Sequence, residues 1–234
     1  LSQLDPVNRD GWVVVTRPQP FAEGTAALLK ARGYRPLMVP LLRKIARNAE
    51  VPFGPDGVAV TSRAGAAELT RFPTLLRRPV FAVGQATAKA AREVGANVVA
   101  IGTGGVDDLA QLIAAHEPGS ILHLSGEDQA GDLVGTLCGT GIKAERMIVY
   151  AMEPVGELPK VSEALLAVLL YSPRTARLFS ARARATPWRT APAIAMSTEI
   201  AAGLPGREVA VAERPDEASL LATLDAFAAG GAPS

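Results

Sequence analysis

The 234-residue chain has a single cysteine, Cys138, and only two histidines, His116 and His123. One thiol excludes an intrachain disulfide framework and any Cys-rich metal site. Charge of one sign is also missing: 24 Lys and Arg stand against 23 Asp and Glu, for a formal net charge of +1. That balance offers no general attraction to nucleic acid or to an acidic membrane surface. The longest strongly apolar run, from Ala164 to Tyr171, falls well short of the ~18–20 residues that span a bilayer. Leu1 to Asp10 is polar and lacks the apolar core of a signal peptide. The expectation is a soluble cytoplasmic protein with no nucleic-acid or membrane partner. Nucleotide loops are missing as well. Gly102-Thr-Gly-Gly105 lacks both the Lys-Ser/Thr of a P-loop and the helix-opening glycine of a dinucleotide fingerprint.

What the chain does have is an internal duplication. Val58-Ala-Val-Thr-Ser-Arg63 returns as Val168-Leu-Leu-Tyr-Ser-Pro-Arg174, and Gly95 and Val98 return as Gly206 and Val209. Asp107-Asp-Leu109 has its counterpart in Asp216-Glu217. The opening unit, Val13 to Leu42 with a helix closing at Gly33, is echoed by Ile121 to Tyr150 with a helix closing at Gly141. A period of about 110 residues is too long for a solenoid, whose units run roughly 20–50 residues. It predicts two similar bodies of about a hundred residues each, and two facing bodies can enclose a large ligand.

Short β-type runs alternate with helical patterns almost throughout. The runs fall at residues 12–16, 57–61, 80–83, 97–101, 120–124, 168–171, 193–196 and 208–212. Most are continuously apolar, which suits a sheet covered on both faces. Dense strand–helix alternation implies an α/β fold with parallel sheets and right-handed crossovers. Gly33, Gly95 and Gly141 read as glycines that terminate helices. Two longer extended stretches, 37–47 and 146–154, each precede a Pro/Gly-rich passage and read as connectors between the bodies. The Gly/Ala/Pro/Ser tail from Ala229 is expected to fray.

In open parallel α/β sheets, ligands collect beyond the carboxyl ends of the strands. Six turns fall there: Thr16-Arg17-Pro18, Thr61-Ser62-Arg63, Val83-Gly84-Gln85-Ala86-Thr87, Ser125-Gly126-Glu127, Ser172-Pro173-Arg174 and Met196-Ser197-Thr198. Each opens a helical pattern, whose free N–H groups and dipole suit a carboxylate or phosphate. Arg17, Arg63 and Arg174 add positive charge. Each Ser or Thr also has a purely structural reading as an N-cap, contributing about 1 kcal/mol.

Acid–base groups are scarce. His116 ends a helix, where a histidine complements the dipole. His123 sits mid-strand and reads as a core histidine. Asp107-Asp108 and Asp216-Glu217 read as N-cap pairs, and Cys138 as a buried inert thiol. No serine stands in a recognisable relay with histidine, so nucleophilic hydrolysis has no support. Tyr150, on a connector, reads either as a packing residue or as a phenol facing a central cleft.

Taken in order, several pieces resemble the uroporphyrinogen-III synthase family. They are Val14-Val-Thr-Arg-Pro18, Thr61-Ser62, Ala82-Val-Gly-Gln-Ala-Thr-Ala88, Gly104-Gly-Val-Asp-Asp-Leu109, Leu122-His-Leu-Ser-Gly126, Val149-Tyr150, Tyr171-Ser-Pro-Arg-Thr-Ala176 and Ala195-Met-Ser197. At Ser197-Thr-Glu-Ile200 the chain departs from the Gly-Pro-Thr-Thr type turn of many relatives.

The resemblance implies two similar flavodoxin-like α/β domains joined by a two-stranded connector. One would combine residues 1–38 with 156–234, and the other would be 47–146, with 39–46 and 147–155 as connector. It implies a cyclising hydro-lyase that converts hydroxymethylbilane to uroporphyrinogen III, with inversion of ring D and loss of water, in tetrapyrrole biosynthesis. It further implies a monomer with no cofactor and no metal, acting after hydroxymethylbilane synthase. By position, Tyr150 matches the tyrosine held to assist loss of the hydroxyl. Thr87, Ser62 and Ser172 match cleft residues, and Arg17, Arg63, Gly84, Gly126, Arg174 and Ser197 complete the implied substrate-binding set. Two other readings remain beside this one. The first is an inactive synthase-like protein that binds an anionic tetrapyrrole or other polycarboxylate for regulation. The second is a nucleotide-dependent α/β enzyme, which lacks a phosphate loop.

Overall fold

The computed structural model describes residues 10–230. The polar stretch before Asp10 and the tail from residue 231 lie outside the described residues. The chain opens with β1 (Trp12–Val15), α1 (Phe21–Ala31), β2 (Arg35–Met38) and β3 (Leu42–Ala46). It continues through β4 (Gly57–Val60), α2 (Arg63–Glu68), α3 (Pro73–Leu76), β5 (Val80–Ala82), α4 (Gln85–Glu93), β6 (Val98–Ile101) and α5 (Val106–Ala114). Then come β7 (Ser120–Gly126), α6 (Leu133–Gly139) and β8 (Lys143–Pro154). The last stretch holds β9 (Leu165–Leu170), α7 (Pro173–Arg182), β10 (Ala193–Ala195), α8 (Thr198–Ala201), β11 (Val209–Val211) and α9 (Glu217–Ala228).

These elements form two compact units. Unit 1 takes the residues up to Arg43 and those from Glu153 onward, and unit 2 is Lys44–Met152. Unit 1 is built on a five-stranded sheet of order β11-β10-β9-β1-β2 with parallel pairing throughout. Numbered in chain order its strands run 2-1-3-4-5, the flavodoxin-like arrangement. Unit 2 belongs to a six-stranded sheet of order β3-β8-β7-β4-β5-β6. Without β3, its strands follow the same spatial plan: β8, β7, β4, β5 and β6 stand where β2, β1, β9, β10 and β11 stand in unit 1.

The duplication is therefore exchanged. The first half of the chain gives β1 and β2 to one sheet and β4 to β6 to the other, and the second half completes each. The crossing passages between units are β3 and β8, neighbours in the sheet. Val155 N–H donates to Leu41 O at 3.0 Å and Arg47 N–H to Val149 O at 2.9 Å, so the two strands run antiparallel.

Strand composition follows from burial on both faces. In β1, Val13 and Val15 pack into one apolar cluster and Val14 into another, all with no exposed surface. In β4, Val58 and Val60 face one cluster and Ala59 the opposite one. Alternate residues of a strand point to opposite faces, so two covered faces leave no place for an outward polar residue. The equivalent helices α1 and α6 stop alike, at Gly33 and Gly141 with φ of +81° and +87°. Tyr34 N–H reaches back to Leu29 O and Ile142 N–H to Leu137 O, joining the N–H groups of Arg32 and Thr140 on the same carbonyls and closing the helix ends.

Two sequence readings are corrected. Cys138 is exposed, with Sγ against Ala144 O at 3.7 Å. On the short helix α6 the inward positions belong to Leu133 and Leu137, and the next residue is turned about 100° away. Asp107 and Asp108 are not N-caps but lie in the first turn of α5, whose N-cap is Gly105. Asp108 instead accepts from Thr103 N–H at 2.6 Å. At the second copy Asp216 does cap its helix, accepting from Ser219 N–H at 2.7 Å.

Within unit 2 one buried carboxylate ties helix to strands. Glu68, only 6% exposed, accepts from Lys44 Nζ at 2.6 Å and Arg71 Nη1 at 2.9 Å. Arg71 also donates to Val149 O and Arg47 O, at 3.0 and 2.9 Å. Burial alone would raise the Glu68 pKa, but the hydrogen bonds from Lys44 and Arg71 outweigh it and hold the carboxyl below the usual range. Replacing Glu68 by Ala is expected to lower stability by about 2 kcal/mol. Breaking a fully buried pair costs ~3–5 kcal/mol, and Lys44 and Arg71 keep part of their hydration. A urea midpoint equal to that of the unchanged chain would show the triad to be dispensable.

Candidate active site

The turns after β4, β5, β6 and β7 converge at the carboxyl edge of the unit 2 sheet, because every strand of that parallel set ends on the same side. Ser62 leaves β4 in an extended conformation and caps α2, its Oγ accepting from Gly65 N–H at 2.9 Å. The same oxygen lies 3.0 Å from the phenolic oxygen of Tyr150. Tyr150 comes from the long strand β8, where a register irregularity sets it opposite Gly126 at the end of β7. Glu127 N–H donates to Tyr150 O at 2.9 Å and closes this corner.

Gly126 is required by the phenol above it. A Cβ at this position would sit 2.5 Å from Tyr150 Cζ and 2.7 Å from its hydroxyl oxygen. Gly126→Ala is therefore expected to displace the Tyr150 ring and break its contact with Ser62. Crystallography of the variant would check this, and an unmoved ring would refute it.

Together Ser62, Gly126 and Tyr150 line a pocket of about 200 Å³ with Thr61, Ser125 and Asp128. Behind it stands a clamp that the residue pattern did not bring forward. Arg146 donates through Nε to Ser125 Oγ at 2.8 Å, and through Nη2 to Gly126 O and Glu127 O, both at 2.6 Å. Sequence spacing does not mark it, because the register irregularity before Tyr150 breaks the strand's alternation between residues 146 and 150.

His123 is buried in mid-β7, as its core reading predicts, with Nε2 2.9 Å from Thr61 Oγ1. Burial, then the charge of Arg146, pushes its pKa down to about 4, with Asp132 acting weakly in the opposite direction. The imidazole is thus neutral near pH 7. Between pH 6.5 and about 4 the unfolded chain binds a proton here that the folded chain refuses. The stability that His123 leaves intact above that window is lost as pH falls through it, on the order of 3 kcal/mol in all. Labelled His123 is expected to keep its neutral nuclear magnetic resonance signature down to about pH 5. A charged ring at pH 6 would contradict this.

The remaining candidates stand elsewhere. Arg63 is exposed on the first turn of α2, Gly84 caps α4, and Thr87 is buried in the first turn of α4. None of these three lines the Tyr150 pocket. Arg17, Ser172, Arg174 and Ser197 belong to unit 1, at the carboxyl ends of the neighbouring strands β1, β9 and β10. The groups of Arg17, Ser172 and Ser197 are engaged within that unit. Arg17 donates to Glu217 at 2.9 Å and to Thr25 at 3.2 Å, and lies over the Tyr171 ring at 4.5 Å. Burial raises the Tyr171 phenol to about 12, more than Thr25 and Arg17 draw it down. Ser172 and Thr175 form a reciprocal capping box, and Ser197 caps α8. Arg174 sits on the first turn of α7.

The pocket thus offers hydroxyl donors at fixed positions and no imidazole within it. Such a surface can hydrogen-bond a leaving oxygen and shape a flexible ligand. Among the described residues no group of three or more His, Cys, Asp or Glu is placed to hold a metal ion. Among them, too, no helix is long and apolar enough to cross a membrane.

Comparison with known proteins follows the same line. The fold is shared with the uroporphyrinogen-III synthetase of Helicobacter pylori, at a TM-score of 0.64 and 19% identity, over 91% of this chain and 97% of that one. A mutant uroporphyrinogen III synthase from the extremely thermophilic bacterium Thermus thermophilus gives a TM-score of 0.52 at 17% identity, over 93% and 97% of the two chains. No curated protein sequence matches the chain. The model of the family described as uroporphyrinogen-III synthase HemD matches residues 23–222, and the chain belongs to that family.

Proposed function

We propose that this chain is a uroporphyrinogen-III synthase, closing hydroxymethylbilane to uroporphyrinogen III with loss of water and inversion of ring D. Family membership supports the reaction class. The observation that carries the residue assignment is Tyr150, its hydroxyl 3.0 Å from Ser62 Oγ and its ring laid over a position with no room for a side chain.

In this reading the Tyr150 phenol donates to the departing hydroxyl of the bilane, which leaves as water. Electron-rich pyrrole carbons then form the new carbon–carbon bonds through a spiro intermediate. The bond from ring D to its original bridge breaks before the ring recloses. The proton lost as the last pyrrole rearomatises returns to the Tyr150 oxygen, so no strong base is asked of the protein. Ser62 fixes the phenol, Arg146 fixes the strand corner beneath it, and the neutral His123 holds Thr61. Arg63, Gly84, Thr87 and the unit 1 set of Arg17, Ser172, Arg174 and Ser197 serve the carboxylates of the substrate through helix N-termini and charge. For Arg17 this requires sharing its guanidinium with Glu217. Ordering a flexible linear molecule in one reactive shape supplies much of the rate, since alignment alone is worth several kcal/mol. The protein acts as a monomer without metal or cofactor, on substrate delivered by hydroxymethylbilane synthase.

The test feeds the protein enzymatically generated hydroxymethylbilane and separates the isomers chromatographically. The type III isomer is expected, and formation of type I alone, which arises without an enzyme, would refute the activity. Binding of the bilane without conversion would identify a regulatory relative instead. Tyr150→Phe keeps the ring volume and is expected to slow turnover about a hundredfold, at the low end of a positioned proton donor's contribution. Undiminished turnover would remove the phenol from the reaction and leave the activity standing.

A further inference from the structure

Unit 1 holds a larger concavity that the proposed reaction does not use. It measures about 680 Å³, within the range of roughly 300–1,000 Å³ typical of small-molecule sites. It is bounded by the segment 156–161 leading into β9, by the end of α7, and by the segment 184–188 leading toward β10. All three lie at the amino edge of the sheet. α7 starts at Ser172 on the carboxyl edge and runs back across the sheet to Arg182, so its 10 residues set the two edges ~15 Å apart.

The chemistry of the lining is one-sided. Lys160, Arg182 and Arg184 face a single carboxylate, Glu157. The imbalance extends along the chain: between Glu163 and Glu199 there is no Asp or Glu, while Arg174, Arg177, Arg182, Arg184 and Arg189 all fall in that interval. In a chain with a net charge of only +1 this is a marked segregation. Arg182 Nη1 is buried without a hydrogen-bond partner, a state that ordinarily costs ~1–3 kcal/mol or more. An anion beside that guanidinium would offset its charge.

The rest of the wall is apolar and already set. Leu158, Val161 and Trp188 pack together with the unit 1 core. The Trp188 indole N–H donates to Pro159 O at 2.9 Å, which ties two of the three segments to each other. Arg207 donates to Trp188 O at 3.0 Å and also to Ala191 O, and lies over the Phe179 ring at 4.7 Å. A preformed wall saves a ligand the cost of ordering it.

We propose that this concavity is a second ligand site, for a small organic anion that joins a carboxylate or phosphate to an apolar body. The charged end meets Lys160, Arg182 and Arg184, and the apolar end lies on Leu158 and Val161. The site is separate from the Tyr150 pocket and independent of the activity assigned to it.

The test titrates the full chain calorimetrically with 2-naphthoate, 2-naphthyl phosphate and the uncharged 2-naphthalenemethanol. At least one anionic probe is expected to bind at sub-millimolar concentration, with the neutral probe at least tenfold weaker, and comparison of the two anions decides between carboxylate and phosphate. The double variant Lys160→Gln, Arg184→Gln changes two exposed side chains, so its thermal midpoint is expected to match that of the unchanged chain. Its affinity for the anion is expected to fall about tenfold, through loss of two charge-assisted contacts. Ser62→Ala, in unit 2, is expected to leave binding unaltered. Absence of anion binding at millimolar concentration would overturn the proposal, and so would equal binding by the double variant.

Discussion

Two parallel strand pairs, β1 with β9 and β4 with β7, hold the architecture together, because each joins the halves of the chain inside one sheet. Trp12 to Val15 pair with Leu165 to Leu169, and Gly57 to Val60 with Ile121 to Leu124. The first seam is reinforced by Thr16, whose buried Oγ1 donates to Leu169 O, 153 residues away, at 2.6 Å. Closing loops of that length costs entropy that grows only slowly with chain length. The return is burial: Val13, Val14 and Val15 meet Ala167, Val168 and Leu169, all without exposed surface. Apolar surface removed from water contributes about 25 cal/mol per Å², which offsets that entropy.

The second seam is also what assembles the candidate site. Ser62 follows β4, from the first half of the chain, while Gly126 and Tyr150 belong to β7 and β8, from the second. They meet because β4 and β7 are neighbours whose carboxyl ends coincide. In unit 1 the equivalent seam brings Arg17, after β1, against Tyr171, after β9. The copies diverge beyond that point. β8 runs for 12 residues without a break and carries Tyr150, while β2 stops at Met38 and the chain resumes as β3. By the period of the repeat, Tyr150 corresponds to Leu42. A phenol at a strand corner in one copy and a partly buried ion pair at the other is a divergence of roles built on one plan.

Much of this was legible locally. Continuous apolar runs marked the covered strands, Ser62, Ser172 and Ser197 marked helix starts, and Gly33 and Gly141 marked helix stops, because each depends on residues within a few positions. The exchange of halves left no local trace, since a repeat is silent on which copies pack together. Resemblance to a family, not the repeat, suggested a discontinuous arrangement. Arg17 illustrates a second limit. Its position after a strand promised a free cation, but Glu217, 200 residues away, already holds it. Arg146 was passed over for the same reason, since its importance lies in three oxygens gathered by the β7–β8 corner. Cys138 was misread from apolar neighbours in sequence, although one step around a helix separates inside from outside.

The exchanged halves also impose an order on biosynthesis. A ribosome delivers β1 and β2 first, yet the flank of β1 opposite β2 is filled only when β9 emerges, after the whole of Lys44–Met152. At about 5–20 residues per second that interval is on the order of ten seconds, during which the nascent amino-terminal segment has an unpaired, strongly apolar strand edge. Unit 2, by contrast, has all its strands before the missing partners of unit 1 are made. Unit 2 can therefore complete its sheet before unit 1, while β1 keeps one flank unpaired until β9 is made.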